Sequence, residues 1–126
     1  MNIGHSEHAY EDSIQIRALE MGRDLVFLVS GGTAHIGAVA AAYWSDGHSI
    51  PCEAITIPGH REGELAAELA AMASHRLRRT VSVVAGIHLD QPSRQQIEAI
   101  VELARSKLNQ MLGNIELLGE GESAHA

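Results

Sequence analysis

Three histidines, His35, His60 and His88, stand beside glycine- and turn-rich stretches of a 126-residue chain. Imidazole titrates near neutrality, donates and accepts hydrogen bonds and ligates metals, so three of them at the junctions of elements would suit a ligand or metal site. His35 lies between Gly31-Gly32-Thr33 and Gly37, His60 lies in Pro58-Gly59-His60-Arg61-Glu62, and His88 follows Gly86-Ile87. Taken singly, each reads first as a satisfied structural histidine, and it is the three together at element junctions that keep a site open. No His-x-His or His-Glu-x-x-His spacing is present, so a divalent metal on His35, His60 and His88 stays an open alternative.

The segment from Pro58 to Gly63 carries the sharper local signal. It precedes a helical pattern whose start exposes unpaired N–H groups and the positive end of the helix dipole. Gly59 would admit a ligand, and Arg61 would grip an anion with two donors. The stretch lacks the Walker spacing and its Lys-Ser/Thr ending, and Gly31-Gly32 does not extend into a dinucleotide fingerprint. An ordinary helix cap is the alternative to a phosphate cradle. Nucleophilic chemistry has less support: Cys52 beside Pro51 reads as an inert buried thiol, and neither Ser30 nor Ser82 lies in Gly-x-Ser-x-Gly.

These residues need a scaffold. Ile14, Ile16 and Ala18 alternate with Gln15 and Arg17, which predicts a first strand ending at Met21-Gly22-Arg23-Asp24. Leu25 to Val29 is continuously apolar, as in a central strand. Gly31-Gly32 predicts a tight hairpin into a third strand from Ala34 to Tyr43, with His35 and Gly37 on one face and Ala34, Ile36, Ala38, Ala40 and Ala42 on the other. So low a strand lets a helix, a second subunit or a flat ring approach. After the Asp46-Gly47 turn, residues 50–57 read as a fourth, edge strand. Leu65, Ala66, Leu69, Met72 and Ala73 recur at helical spacing and predict a helix over 61–77. Residues 80–89 alternate as a fifth strand. Pro92 opens a second helix whose buried stripe is Ile97, Ile100, Val101, Ala104, Leu108, Met111 and Leu112, with Gly113 as its cap. The reading is one α+β domain over 13–113: a four-strand antiparallel meander, helix, strand, helix, with both helices on one face. Residues 1–12, with His5 and His8, read as a flexible arm and 114–126 as a tail.

Composition narrows the partners. A net charge of −7 argues against nucleic acid or an anionic membrane. One cysteine excludes an intrachain disulfide, and no run reaches the roughly 18 apolar residues of a membrane span. A cytoplasmic protein is expected. Four aromatic residues leave the core to Ala, Val, Ile and Leu, and so light a core favours burial against a second copy.

The combination of Gly-Gly-Thr-Ala-His35-Ile-Gly37 before an Ala-rich strand, Pro58-Gly-His-Arg-Glu62, and Val84-Ala-Gly-Ile-His88-Leu-Asp90 before a helix resembles the LpdD-like family. Those small proteins accompany UbiD-type decarboxylases such as gallate decarboxylase and share the fold of proteasome assembly chaperones. The resemblance spans residues 13–112. It implies a non-catalytic homodimeric chaperone that binds prenylated FMN, or FMN, and passes it to a decarboxylase apoenzyme. On that reading Gly31, Gly32 and Gly37 would admit the flat ring, and Gly59, His60 and Arg61 would take the phosphate. His35 and His88 would bond the ring's polar edge, with Thr33, Pro58, Glu62 and Gly86 completing the cofactor site. A ligand-free structural subunit and a metal-dependent enzyme on the histidines are the rivals.

Overall fold

The computed structural model describes residues 14–125, with side-chain surroundings through Leu118. The proposed N-terminal arm, including His5 and His8, lies outside the described residues. Strands β1 (Ile14–Met21), β2 (Asp24–Gly31), β3 (Ala38–Ser45), β4 (His48–Pro51) and β5 (Ile55–Thr56) precede helix α1 (Gly63–Leu77), strand β6 (Val81–Ile87) and helix α2 (Arg94–His125). The domain is α+β, with one mixed, mostly antiparallel sheet in the order β1-β2-β6-β3-β4, β5 pairing with β3.

Two of the three expected reversals hold. β1 and β2 pair antiparallel about Gly22, whose φ is +64°, and β3 and β4 pair about Asp46 and Gly47, both at positive φ. Such paired positive-φ residues match the twist of a two-residue hairpin. The third reversal is overturned. Gly32 does turn the chain, at φ +69°, yet β2 and β3 are not neighbours. β6 inserts between them, parallel to β2 and antiparallel to β3. Residues 32–37 therefore cross over the end of β6 instead of folding back, and Ala34 to Gly37 are loop, not strand. Gly37 N–H donates to the Ala85 carbonyl at 2.8 Å and His88 N–H to the Gly31 carbonyl at 2.8 Å, tying the crossing to both strands. The expected single strand over 50–57 also breaks in two. Cys52 sits in the break and is exposed, not buried.

The Ala face of β3 is where the helices pack. Ala38, Ala40 and Ala42 are buried with Phe27 and Val29 of β2 and Val81, Val83 and Ala85 of β6, beneath Ala66, Leu69, Ala70 and Ala73 of α1. Methyl-sized side chains let a helix lie close to the sheet, so the low face serves helix-on-sheet packing within the chain. α1 ends with Arg78 in the left-handed region, φ 56°, its N–H bonded to the Ser74 carbonyl at 2.8 Å. Ser74, fully buried, donates its hydroxyl to the Arg79 carbonyl at 2.8 Å and holds this non-glycine cap. Ser74→Ala should cost about 1 kcal/mol, read as a lower midpoint in urea unfolding.

α2 begins two residues later than expected, with Ser93 as its cap: Ser93 Oγ accepts from Gln96 N–H and Gln96 Oε1 accepts from Ser93 N–H, a capping box. It also runs through Gly113 to His125, because Gly113 keeps a helical backbone and is no cap. Arg76 bonds Asn109 and Glu116 on either side of that position, and Arg105 pairs with Glu68, so α2 is clamped to α1 along its length.

Candidate functional site

The crossing loop, the start of α1, the end of β6 and the start of α2 enclose a cavity of about 620 Å³ on the helical side of the sheet. His35, Gly59, His60, Arg61, Glu62 and His88 line its polar side. The rings of His35 and His60 lie 5.0 Å apart between centroids, and those of His35 and His88 lie 6.4 Å apart, edge to face. Three histidines from separate stretches of sequence thus converge.

Glu62 is the hub. Its Oε2 accepts from His35 Nε2 at 3.1 Å and from Ile87 N–H at 3.3 Å, and its Oε1 accepts from Arg61 N–H at 3.0 Å. It precedes the first turn of α1, where the helix dipole favours a negative charge. The other His35 nitrogen, Nδ1, faces the Thr33 carbonyl at 3.0 Å. Both neighbours are acceptors, an arrangement that favours a proton on each ring nitrogen. Its pKa is raised, first by the hydrogen bond to the Thr33 carbonyl, with burial opposing and the Glu62 hydrogen bond and charge adding to the rise. His60 bonds the Pro58 carbonyl through Nδ1 at 3.1 Å and keeps Nε2 for the cavity. His88 is held through Nε2 by Asp90 at 3.1 Å.

The glycines named from sequence divide. Gly59, at φ +85° with open space around it, faces the cavity. Gly31, Gly32, Gly37 and Gly86 do not line it, and neither do Thr33 and Pro58. The space above three of these glycines is filled by the protein itself. A Cβ on Gly86 would overlap the His35 carbonyl oxygen, one on Gly37 the Glu62 carboxylate, and one on Gly32 the His88 carbonyl oxygen. Their smallness lets the crossing loop press onto the sheet and fixes His35 and Glu62 in place; it does not open room for a ring.

The other wall is apolar: Leu65, Ile87, Leu89, Ile97, Ile100 and Val101, with Pro92 at the turn into α2. Sequence reasoning put Ile97, Ile100 and Val101 in the helical stripe facing the core, and Ile97 is instead 40% exposed. The stripe of α2 is wider at its start than core contact requires, which was the available signal. Among the described residues no group of three His, Cys, Asp or Glu side chains is arranged to hold a metal ion. Ser82 donates its hydroxyl to the Ala40 carbonyl at 3.3 Å within the sheet.

A cavity with polar groups on one wall and aliphatic side chains on the other, at one end of an α+β sheet, has the make-up of a small-molecule site. The family model described as a prenylated flavin chaperone LpdD-like domain matches residues 8–116, and the chain belongs to this family. No curated protein matches the chain. Among the described residues no helix is long and apolar enough to cross a membrane.

Proposed function

We infer that the chain binds prenylated FMN, or FMN, in this cavity as a non-catalytic chaperone and passes it to a UbiD-type decarboxylase apoenzyme, working in the cytoplasm as a homodimer. The observation that carries the binding is the cavity's division into an aliphatic wall and a cationic lip. A volume near 620 Å³ lies within the range of small-molecule and cofactor pockets. The aliphatic wall suits the ring system and its added isoprenoid carbons, whose burial is favourable in proportion to area. Arg61 makes no side-chain pairing among the described residues and, with His60 Nε2, is free to take the phosphate. The Glu62 carboxylate is held by His35, Ile87 N–H and Arg61 N–H, and its negative charge beside the start of α1 steers the phosphate to Arg61 and His60 at the lip. No Phe, Tyr or Trp lines the cavity, so only the imidazole rings can stack on the cargo, which favours a carrier that releases it.

The experiment is a titration of the purified chain with FMN and with its prenylated form, aerobically and anaerobically, following flavin absorbance and melting temperature together. Arg61→Ala should weaken binding at least tenfold, the scale of one charge-assisted hydrogen bond, and His60→Ala less. Absence of binding and of any melting shift with either flavin would overturn the reading in favour of a ligand-free accessory subunit.

A further inference from the structure

Two of the histidines at the cavity use their nitrogens differently. His35 points both at protein acceptors, Nδ1 at the Thr33 carbonyl and Nε2 at the Glu62 carboxylate. His60 commits only Nδ1, which lies 3.1 Å from the Pro58 carbonyl. A carbonyl only accepts, so this bond keeps a proton on Nδ1 whatever the charge of the ring. In the neutral ring Nε2 is then a lone pair at the cavity; in the charged ring it is a donor. A phosphate monoester loses its second proton near pH 6 and from there on offers acceptors alone. The dianion therefore meets Nε2 favourably only through one added proton. Moving the neutral ring's proton to Nε2 is no escape, since it sets a lone pair on Nδ1 against the Pro58 carbonyl.

We propose that His60 is a proton-coupled latch on the cargo's phosphate: the chain takes a proton from solvent with each phosphorylated ligand, holds it on Nε2 between ring and phosphate, and returns it when the ligand leaves. The proposal rests on the flavin reading above and adds its regulation. The charges around His60 suit this. The crossing loop supplies His35, 5.0 Å away between ring centroids. The turn into α1 supplies Arg61 and Glu62, and the end of β6 supplies His88 with Asp90 beside it. α2 lines the cavity with Ile97, Ile100 and Val101 and adds no charge. Both carboxylates are already bonded to other histidines, Glu62 to His35 and Asp90 to His88. Arg61, and His35 when protonated, oppose a further positive charge at an empty lip, and a bound dianion offsets them. Proton and phosphate thus favour each other's binding. By linkage the affinity is greatest where the proton is available and falls as pH rises through the slightly alkaline range, so a rise in pH loosens the cargo.

The test is calorimetric titration of the full chain with prenylated FMN, and with FMN alongside, at about pH 7 and about pH 8.5, where the phosphate stays dianionic. Each titration is run in two buffers of different ionisation enthalpy, which counts the protons absorbed, for the wild type and for His60→Gln, whose amide donates without titrating. The wild-type Kd should rise about tenfold across this range, the scale of one charge-assisted hydrogen bond, with protons absorbed on binding. His60→Gln should bind with nearly the same Kd at both values and absorb fewer protons. Nitrogen NMR of the ligand-free chain at the higher pH should place the His60 proton on Nδ1. A proton on Nε2 there, a wild-type Kd that does not change with pH, or a slope that His60→Gln retains overturns this proposal alone, the last assigning the coupling to His35 or His88. Should His60→Gln lose its fold, the tautomer and the wild-type slope decide. Failure of both flavins to bind the wild type even at the lower pH overturns the flavin reading, and this proposal with it.

Discussion

Gly86→Ala should lower the free energy of unfolding by about 3 kcal/mol, the upper range for over-packing, because the new methyl would overlap the backbone carbonyl of His35. Backbone cannot swing aside as a flexible side chain does. Relief would require the crossing loop to lift from β6, taking His35 away from Glu62 and disordering the polar side of the cavity. The control is Gly113→Ala: Gly113 lies within α2 with only the end of Arg76 near its would-be Cβ, so alanine there should stabilise by up to about 1 kcal/mol. Urea unfolding of the two variants should give opposite signs. Equal, small effects would mean that the loop does not press on the strand as described.

Glu62→Ala is expected to cost about 2 to 3 kcal/mol and to weaken flavin binding more than Arg61→Ala does. It removes the acceptor shared by His35, Ile87 N–H and Arg61 N–H, leaving two backbone donors and the His35 ring to find other partners at a half-enclosed site. Glu62→Gln separates charge from shape. The His35 pKa lies above its unfolded value, so its contribution to stability is complete below about pH 6.5 and is lost as pH rises through the raised value. Wild-type stability should therefore decline across that window. In Glu62→Gln the decline should be shallower but not absent, since the Thr33 carbonyl, the larger cause, remains. The pH dependence of the melting temperature and the His35 ring shifts in NMR spectra both report it; an unchanged slope would remove Glu62 from the protonation of His35.

Much of this was legible in residue types. The helical repeat from Leu65 to Leu77 placed α1 and the Asp46-Gly47 turn placed the β3–β4 hairpin, while the three histidines were legible as sitting at element ends but not as a cluster. The order of strands was not legible. A Gly-Gly turn reports that the chain reverses but not whether the departing strand pairs with the arriving one; here the apolar β6, which begins only at Val81, fills the gap. The same insertion explains why the glycines were assigned to the ligand. A glycine needed for a backbone crossing and one needed for a ring look alike until the crossing is seen. The aliphatic half of the cavity was hidden for a third reason: Ile97 and Val101 lie next to true core positions on α2, and helical periodicity does not separate a wall from a core.

The placement of β6 has a consequence for how the protein is made. While residues 14–77 leave the ribosome, the facing edges of β2 and β3 have nothing to pair with, and both carry unspent backbone donors and acceptors. The sheet closes only once Val81 to Ile87 has emerged and slid between them, a non-local step that is intrinsically slow. A nascent chain stalled before Val81 would hold two open strand edges above an apolar sheet, the kind of intermediate that aggregates or recruits a holdase. A protein that chaperones a cofactor thus spends its own synthesis as a candidate client.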